Sequence, residues 1–371
     1  MEAVLNHQEP QPDILRQRSF PIGEPSEIAA ARRAGNELAR RIGFDDVRTG
    51  QLAIIISEAA TNIVKHAQRG EILLRKVLRG GTSGIEVLAI DNGPGMANVR
   101  QHMQDGHSTT GTYGVGLGAI RRLGQEFDLY TAPGKGTVLM VVVWGQHASS
   151  AIPAHPNWRI GAVCLPLASE QVCGDAWNVV CEGHELSLMV ADGLGHGPLA
   201  ARASERASAL LEHDTPGLPP LPAPFIELAH GALRTTRGAA MAVAHIDSAR
   251  RELRYAGVGN IAACAFDAQQ RRHLLSHNGI VGSNLRKVQE FCYPWQLGAT
   301  LIMHSDGLHT RWDLEQYPGL AQCHPSLVAA VLYRDFARGR DDVTVVVLRE
   351  HEEYQAVTAE TAETAERTGG A

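Results

Sequence analysis

Four acidic positions in the second half of the chain lie where an apolar strand is predicted to meet a small or turn-forming residue: Asp175 in GDAW, Asp192 in VADGLGHG, Asp306 in HSDGL, and Asp341 or Asp342 in GRDDVT. Any one of them alone is most simply a turn carboxylate, since Asp-Gly is a common turn dipeptide. Apolar strands such as LSLMVA and TLIMH run directly into them, so we expect their ends to converge at one rim of the sheets. Oxygen ligands without a His/Cys set favour Mg²⁺ or Mn²⁺ over zinc, and two such ions can hold a bridging hydroxide and clamp a phosphate. The pattern predicts metal-assisted phosphoester hydrolysis.

A second group of polar residues lies in the first half of the chain. Glu58, Asn62 and His66 are four residues apart in QLAIIISEAATNIVKHA and line one face of a predicted helix, which in isolation indicates only a solvated face. The strand IEVLAI then ends in DNGPGM, where two glycines permit a tight turn after a carboxylate. GTYGVGLGAIRRLG follows, a Gly-rich loop that runs into a helix and whose amides suit phosphate oxygens. The spacing differs from that of the Walker loop, and there is no long Rossmann crossover, so the signal is the joint occurrence of the three elements.

The strands and helices that must position these residues fall into two groups. A length of 371 residues favours two domains at roughly 100–200 residues each. The stretch HASSAIPAHPNW, rich in Ala, Ser and Pro, is typical of a linker between them. After Gly197 a helix is predicted to carry PLAARASERASALLE, and the Pro-rich insert TPGLPPLPAP that follows is expected to hold no regular structure. The predicted divisions are a flexible N-terminus at 1–19, an α+β domain at 20–146, a linker at 147–157, a mostly antiparallel two-sheet domain at 158–350 and a disordered tail at 351–371.

Composition narrows the classes of partner and compartment. The net charge of −6 and pI of about 6.3 provide no global basic field, so nucleic acid and anionic lipid are not expected partners. No apolar run approaches the ~18 residues needed to span a bilayer. The six cysteines form no CxxC pair or disulfide-like array, which favours a reducing compartment. We expect a cytoplasmic protein that is neither exported nor bound to a membrane.

The ExxxNxxxHA helix, DNGPGM and the Gly-rich loop, closed by PGKGTVLMV, resemble the GHKL ATPase fold shared by histidine kinases, gyrase, the Hsp90 chaperones and the anti-sigma kinases. Over about residues 20–145, the compact size and the run GVGLGAIRRLGQEFDLYTAPGKGT are most similar to the RsbT branch, which phosphorylates serine on small STAS-domain proteins. The resemblance implies an α/β sandwich, with a mixed sheet and helices on one face, that binds ATP with Mg²⁺.

The resemblance also implies roles for particular residues of this domain. Asn62 would ligate Mg²⁺, Glu58 would orient or deprotonate the attacking hydroxyl, and Asp91 would accept from the adenine amino group. His66 is expected to be structural. Small residues complete the implied site: Gly93 and Gly95 against the base, Gly114, Gly116 and Gly118 toward the phosphates, and Thr137 at the adenine end.

The order GDxW, DGxGHG, GVGN, SDG and DDxT resembles the PPM-type phosphatases of the SpoIIE/RsbX/RsbU branch over residues 158–350. That family has an αββα architecture and two Mn²⁺ or Mg²⁺ ions. The implied metal ligands are Asp192 bridging both ions, the Gly193 carbonyl with Asp175 at the first ion, and Asp306 with Asp341 at the second. Asp341 is preferred to Asp342 because the family motif places its ligand before the Asn/Asp position.

Two further positions near these motifs, His196 and Asn260, have less specific roles. His196 either protonates the leaving serine oxygen or packs at a helix N-terminus, and the sequence supports both interpretations equally. Asn260, in YAGVGN, has a possible supporting role. The sequence shows no clear counterpart of the phosphate-binding arginine of eukaryotic relatives, so substrate anchoring is expected to depend on the metals and the partner protein.

Joining an RsbT-like domain to an RsbX-like domain predicts opposing activities on one chain. The leading hypothesis is a bifunctional regulator of a bacterial partner-switching pathway, which phosphorylates and dephosphorylates serine or threonine on a STAS-type anti-sigma antagonist or a stressosome-like scaffold. The alternatives are a phosphatase whose N-terminal domain senses nucleotide or a partner, and a binding module that sequesters a sigma factor. The motifs do not specify the oligomeric state.

Overall fold

The computed structural model describes most of the chain, namely residues 16–79, 81–97, 116–145, 158–213, 219–267 and 270–351. The chain divides into two compact units, Met1–Ile152 and Pro153–Ala371, and each is described by itself. The predicted linker at 147–157 lies outside the described residues, as does the predicted tail from residue 352 onward. Within the described ranges, no helix is both long enough and apolar enough to cross a membrane.

The first unit is a five-stranded sheet in the order β1-β2-β3-β5-β4, with helices packed on one face. Its strands are β1 (Arg18–Ile22), β2 (Gly70–Arg79), β3 (Thr82–Asp91), β4 (Glu126–Thr131) and β5 (Thr137–Trp144). Its helices are α1 (Pro25–Arg41), α2 (Asp46–Asn62), which continues as a π-helical segment (Ile63–Ala67), and α3 (Gly116–Leu123).

Strand direction in this sheet differs from the expectation. The predicted α/β sandwich is confirmed, but all four strand pairings are antiparallel, so the predicted mixed sheet is wrong in that detail. The reason is the connection between β1 and β2. Two successive helices return the chain to the end of the sheet at which β1 finished, so β2 runs back beside it. β1 also begins at Arg18, just inside the segment at 1–19 predicted to be flexible, because it pairs with β2.

The second unit contains two five-stranded sheets, in the orders β13-β10-β9-β8-β7 and β12-β11-β14-β15-β6. Their strands are β6 (Trp158–Leu165), β7 (Asp175–Glu182), β8 (Glu185–Gly193), β9 (Ala239–Asp247), β10 (Glu252–Val258), β11 (Ala262–Phe266), β12 (Arg271–Leu274), β13 (Phe291–Pro294), β14 (Thr300–His304) and β15 (Val343–Glu350). Three helices accompany them: α4 (Pro198–His213), α5 (Pro222–Leu233) and α6 (Pro325–Phe336).

The layers of this unit confirm the predicted αββα architecture. One buried apolar cluster lies between the sheets and includes Leu188 of β8, Met303 of β14 and Val346 of β15. α4 and α5 cover the outer face of the first sheet, and α6 packs on β6 and β15 of the second. The predicted helix after Gly197 is α4. The Pro-rich insert was expected to hold no regular structure, yet α5 begins inside it at Pro222, because proline is tolerated in the first turn of a helix.

We expect Gly161→Ala to destabilise the second unit. Gly161 lies in β6 where the start of α6 crosses it, and an added methyl group would collide with the Ser326 amide nitrogen. Such overpacking costs about 1–3 kcal/mol, which should lower the midpoint of urea denaturation. Gly231→Ala is the matched control, since Gly231 is exposed in α5 and has open space around it. That change should stabilise by ~0.5–1 kcal/mol. Equal midpoints for the two variants would contradict the close packing of α6 on β6.

Candidate metal and nucleotide sites

Two of the predicted acidic residues face each other across one strand pair of the second unit. β7 and β8 are antiparallel, and their register places Asp175 directly opposite Asp192. Directly opposed side chains lie on the same face of a sheet, about 5 Å apart at Cβ, so the two carboxyl groups are neighbours. Gly193 follows at the end of β8, and its amide donates to the Gly174 carbonyl at 3.1 Å. A side chain on Gly193 would collide with the Ala200 backbone, so glycine allows α4 to begin against this rim.

The third acidic residue reaches the same rim from the second sheet. Asp306 follows β14, and its Oδ2 accepts a hydrogen bond from Asn260 Nδ2 at 2.7 Å. Beside it, the Ser305 amide donates to the Thr344 carbonyl at 3.0 Å, and the Thr344 amide donates to Ser305 Oγ at 3.0 Å. These bonds hold the turn after β14 against the start of β15. Asn260, given only a possible supporting role from the sequence, therefore orients the Asp306 carboxylate.

Asp341 and Asp342 have different surroundings. Asp342 is only 2% exposed, and its two oxygens accept from the amides of Leu167 and Gly174, each at 2.8 Å. It therefore holds the segment that leads into Asp175. Asp341 is half-buried, and its Oδ1 accepts from the Asp342 amide at 2.9 Å. Since both oxygens of Asp342 already bind protein, this geometry favours Asp341 as the metal ligand.

The acidic residues interact through their charges. Burial raises the pKa of Asp192 to about 9, and repulsion from Asp175, Asp306, Asp341 and Asp342 adds to the shift. Burial also raises the pKa of Asp175 to about 7 despite hydrogen bonds from Ser305 and Thr344. Its Oδ2 is buried without a hydrogen-bond partner among the described residues. Buried carboxylates normally have a hydrogen bond or a countercharge, so a cation bound beside Asp175 Oδ2 would fit this rim.

The donor set fits hard divalent cations. Every candidate ligand is an oxygen, as Mg²⁺ and Mn²⁺ prefer. In the described part of the chain, no three His, Cys, Asp or Glu side chains are placed so that they could hold a metal ion together. Like charges repel one another across such a site, and a divalent cation bound among these carboxylates would offset that repulsion.

His196 lies beyond Gly193 in the same loop and has a partner that the sequence did not reveal. Its Nδ1 is 2.6 Å from Glu170 Oε1, and 56% of its side chain is exposed. A bond at Nδ1 fixes the ring orientation and leaves Nε2 for other contacts. Glu170 is 26 residues away in sequence and belongs to no motif, so only the fold identifies it. The arrangement favours an oriented imidazole over simple packing of His196 at the start of α4.

In the first unit, the helix stripe and the Gly-rich segment meet. A Cβ added to Gly116, at the start of α3, would lie 3.2 Å from Glu58 Oε2 and 3.4 Å from Asn62 Oδ1. These two side chains therefore face the N-terminus of α3, where free amides suit phosphate oxygens. His66 is exposed and lies in the π-helical segment, whose wider turn breaks the four-residue stripe. The structure thus brings Glu58 and Asn62 to the glycine segment without His66.

The predicted adenine end of this site is held together by one carboxylate. Asp91 Oδ1 accepts from the Gly93 amide at 2.8 Å and from the Thr137 amide at 3.1 Å. Gly95 has φ +66°, and a side chain there would collide with the Ala132 carbonyl. Asp91 therefore ties the turn after β3 to the start of β5. Of the remaining glycines, Gly118 is buried in α3 and Gly114 lies outside the described residues.

Comparisons with known proteins match each unit separately. Residues 23–142 match the family described as histidine kinase-like ATPase domain, and residues 182–351 match the family described as Stage II sporulation protein E. The chain is 38% identical over 118 residues to the serine/threonine-protein kinase RsbT of Bacillus subtilis strain 168, spanning 32% of this chain and 89% of that protein. It is 27% identical over 165 residues to the phosphoserine phosphatase RsbX of the same organism, spanning 43% of this chain and 79% of that protein. A chain from a solved structure of the bacterial stressosome is 31% identical with a TM-score of 0.48, covering 52% of this chain and 99% of its own.

The two matched ranges include most of the candidate residues but not all of them. The first range includes Glu58, Asn62, Asp91 and Thr137. The second begins at residue 182, so Asp175 lies before it. The place of Asp175 in the site therefore rests on its register opposite Asp192.

We expect Asp192→Asn to stabilise the metal-free protein at alkaline pH. With a pKa near 9 in the folded state and an ordinary value near 4 when unfolded, Asp192 binds a proton more tightly when folded. The contribution of Asp192 to the free energy of unfolding is fully present below about pH 4 and is lost as the pH rises toward 9. In EDTA, the melting temperature of the variant should exceed that of the wild type at pH 8, and the gap should shrink toward pH 5.

Added Mn²⁺ should raise the melting temperature of the wild type but have much less effect on Asp192→Asn, which lacks the charge. The control is Asp313→Asn, whose side chain accepts from the Glu315 amide, a bond that Asn keeps. Its melting curves should follow those of the wild type. A gap between Asp192→Asn and the wild type that does not change with pH would contradict the assigned titration.

Proposed function

Because the chain belongs to the histidine kinase-like ATPase family through its N-terminal part and carries a SpoIIE-type phosphatase domain in its C-terminal part, we propose that it is a bifunctional partner-switching regulator. The C-terminal unit hydrolyses phosphoserine or phosphothreonine on a STAS-type protein. The N-terminal unit transfers phosphate from ATP to serine on such a protein. The observation that carries the phosphatase assignment is the set of buried or half-buried, mutually repelling carboxylates at one rim of two sheets.

For the phosphatase, Asp192 would bridge two ions, Asp175 with the Gly193 carbonyl would hold the first, and Asp306 with Asp341 would hold the second. Two Mg²⁺ or Mn²⁺ ions supply an activated hydroxide and neutralise the charge of a phosphate group when bound. Asn260 keeps the Asp306 carboxylate turned to the rim through its 2.7 Å bond. Asp342 secures the segment before Asp175 and contacts no reacting atom in this scheme.

His196 is suited to the proton transfer that hydrolysis of a serine ester requires. The leaving serine oxygen needs a proton, and an imidazole supplies one near neutral pH. Its pairing with Glu170 through Nδ1 directs the other ring nitrogen away from the carboxylate. Because more than half of its side chain is exposed, a phosphoprotein is able to reach it.

For the kinase, Asn62 would ligate the Mg²⁺ of ATP and Glu58 would orient or deprotonate the attacking serine. Support comes from the position of both side chains beside Gly116 and the start of α3. A phosphate there would meet free helix amides and a metal-binding amide oxygen together. Asp91 would accept from the adenine amino group while it continues to hold the turn at Gly93.

Both proposed activities act on the same chemical group, which is why we assign them to one regulatory pathway. RsbT is described as a kinase and RsbX as a phosphoserine phosphatase. A chain that combines the two would set the phosphorylation level of its partner by the balance of its two rates. The partner would be recognised as a folded protein with a surface serine, a role that STAS proteins fill in such circuits.

We expect wild-type protein with Mn²⁺ to release phosphate from a phosphoserine STAS protein, and Asp192→Ala to lose more than 100-fold of this rate, since it removes the bridging charge. The rate is measured by phosphate release with and without EDTA. Asp313→Ala, away from the motifs that define the site, should retain near wild-type activity. Release that is unchanged in Asp192→Ala or in EDTA would contradict the metal-dependent phosphatase.

We expect the labelled γ-phosphate of ATP to be transferred to the unphosphorylated STAS protein. The transfer is measured in the Asp192→Ala variant, so that the phosphatase unit does not remove the label again. Glu58→Gln should reduce this transfer by roughly 10²–10⁴-fold, the usual range for a general base, while leaving ATP binding nearly intact. The same change in otherwise wild-type protein should leave phosphatase activity unchanged. ATP binding that alters phosphate release without any transfer would replace the kinase with a nucleotide-sensing domain.

A further inference from the structure

The carboxylate rim has an arginine beside it that no motif indicated. Arg237 precedes β9, and the register of β8 with β9 places Gly193 opposite Ala239. The pairing extends past the strand ends, because the Leu194 amide donates to the Gly238 carbonyl at 3.1 Å. The backbone at Arg237 therefore runs alongside the loop that connects Asp192 to His196.

The side chain of Arg237 lies over this loop. Its Nη1 is 3.1 Å from the position that a Cβ on Gly195 would occupy, so a larger residue at 195 would press on the guanidinium. Gly195 also has φ +86°, a conformation that glycine adopts without strain. Two properties thus require glycine here: the turn between Asp192 and His196, and the room for Arg237.

Arg237 is not occupied by a structural role. It is exposed, and in the described ranges its guanidinium makes no hydrogen bond or ion pair. Some arginines of this unit have structural partners, such as Arg251, which pairs with Glu350 at 3.1 Å, and Arg271, which lies 4.4 Å from the centre of the Trp312 ring. Arg206 on α4 is exposed like Arg237, and Arg237 differs from it in lying over the loop that joins Asp192 to His196. The place of Arg237 over Gly195, and not its exposure alone, makes its guanidinium available to a ligand bound beside this loop.

We propose that Arg237 binds the phosphoryl oxygens of the substrate and supplies the phosphate anchor that the sequence motifs lack. This inference rests on the proposed phosphatase function. A guanidinium binds phosphate through two parallel N–H···O bonds and stays charged at any working pH. From its place over Gly195, Arg237 approaches the loop from the β9 side. His196 belongs to the same loop, next to Gly195, so Arg237 and His196 would both lie near a phosphoserine bound at the carboxylate rim.

The test compares Arg237→Ala, Arg237→Lys and Arg206→Ala with the wild type in the full chain with Mn²⁺. Arg206→Ala is the matched control, because Arg206 is exposed on α4 and its substitution removes the same positive charge. Each is assayed on the phosphoserine STAS protein and on p-nitrophenyl phosphate. Loss of hydrogen bonds to a charged group should lower kcat/KM roughly 10- to 100-fold for Arg237→Ala on both substrates. Arg237→Lys should recover part of this loss, and Arg206→Ala should match the wild type.

Inhibition by inorganic phosphate gives a second readout. Its inhibition constant should rise about tenfold in Arg237→Ala, because the anchor binds product as well as substrate. A loss confined to the phosphoprotein would show that Arg237 contacts the protein part of the substrate, and would overturn the phosphate anchor. So would wild-type kinetics in Arg237→Ala. If the wild type itself released no phosphate, the proposed function would fail and this inference with it, an outcome distinct from an active wild type with an unaffected variant.

Discussion

Repulsion among buried carboxylates is the constraint on which the C-terminal unit depends. Asp175 and Asp192 face each other across one strand pair, and the charges of Asp306, Asp341 and Asp342 add to their repulsion. Bringing such groups together opposes folding unless protons or cations neutralise them. Burial and this repulsion make both carboxyl groups hold their protons more tightly, so the pKa values of Asp175 and Asp192 are raised. This cost is the physical reason for the proposal that divalent cations bind at the rim.

Apolar packing and hydrogen bonds around the rim offset the repulsion among the carboxylates. The apolar layer between the two sheets includes residues of β8, β14 and β15, the strands that lead into or out of the acidic positions. Asp342 gives both oxygens to backbone amides and so holds the segment before Asp175. Glycine at 193 and 195 lets α4 and Arg237 approach closely. Rigid strands therefore position the ligands, and the connecting loops carry the groups that would meet the substrate.

The candidate phosphate-binding site of the N-terminal unit is built from different groups. Its candidate site is the start of α3, where the side chains of Glu58 and Asn62 lie beside Gly116, and not a cluster of acids. Asp91 ties the turn after β3 to the start of β5, because its Oδ1 accepts from the Gly93 and Thr137 amides. In the proposed kinase the same side chain would also meet the adenine. The two candidate sites thus differ in construction, and this difference is the physical basis for the opposing activities proposed above.

The sequence by itself determined the two domain types, the acidic positions at strand ends and the pairing of Glu58 with Asn62. These follow from local spacing: alternation along strands, four-residue spacing along a helix and short motifs at turns. Tertiary structure decided the rest. It separated Asp341 from Asp342, through bonds that link residues 175 and 168 positions apart. It also joined Glu170 to His196, placed Arg237 over Gly195 and turned His66 off the helix stripe with a π-helical segment. No local pattern encodes contacts between distant residues, since they exist only once the sheets have closed on one another.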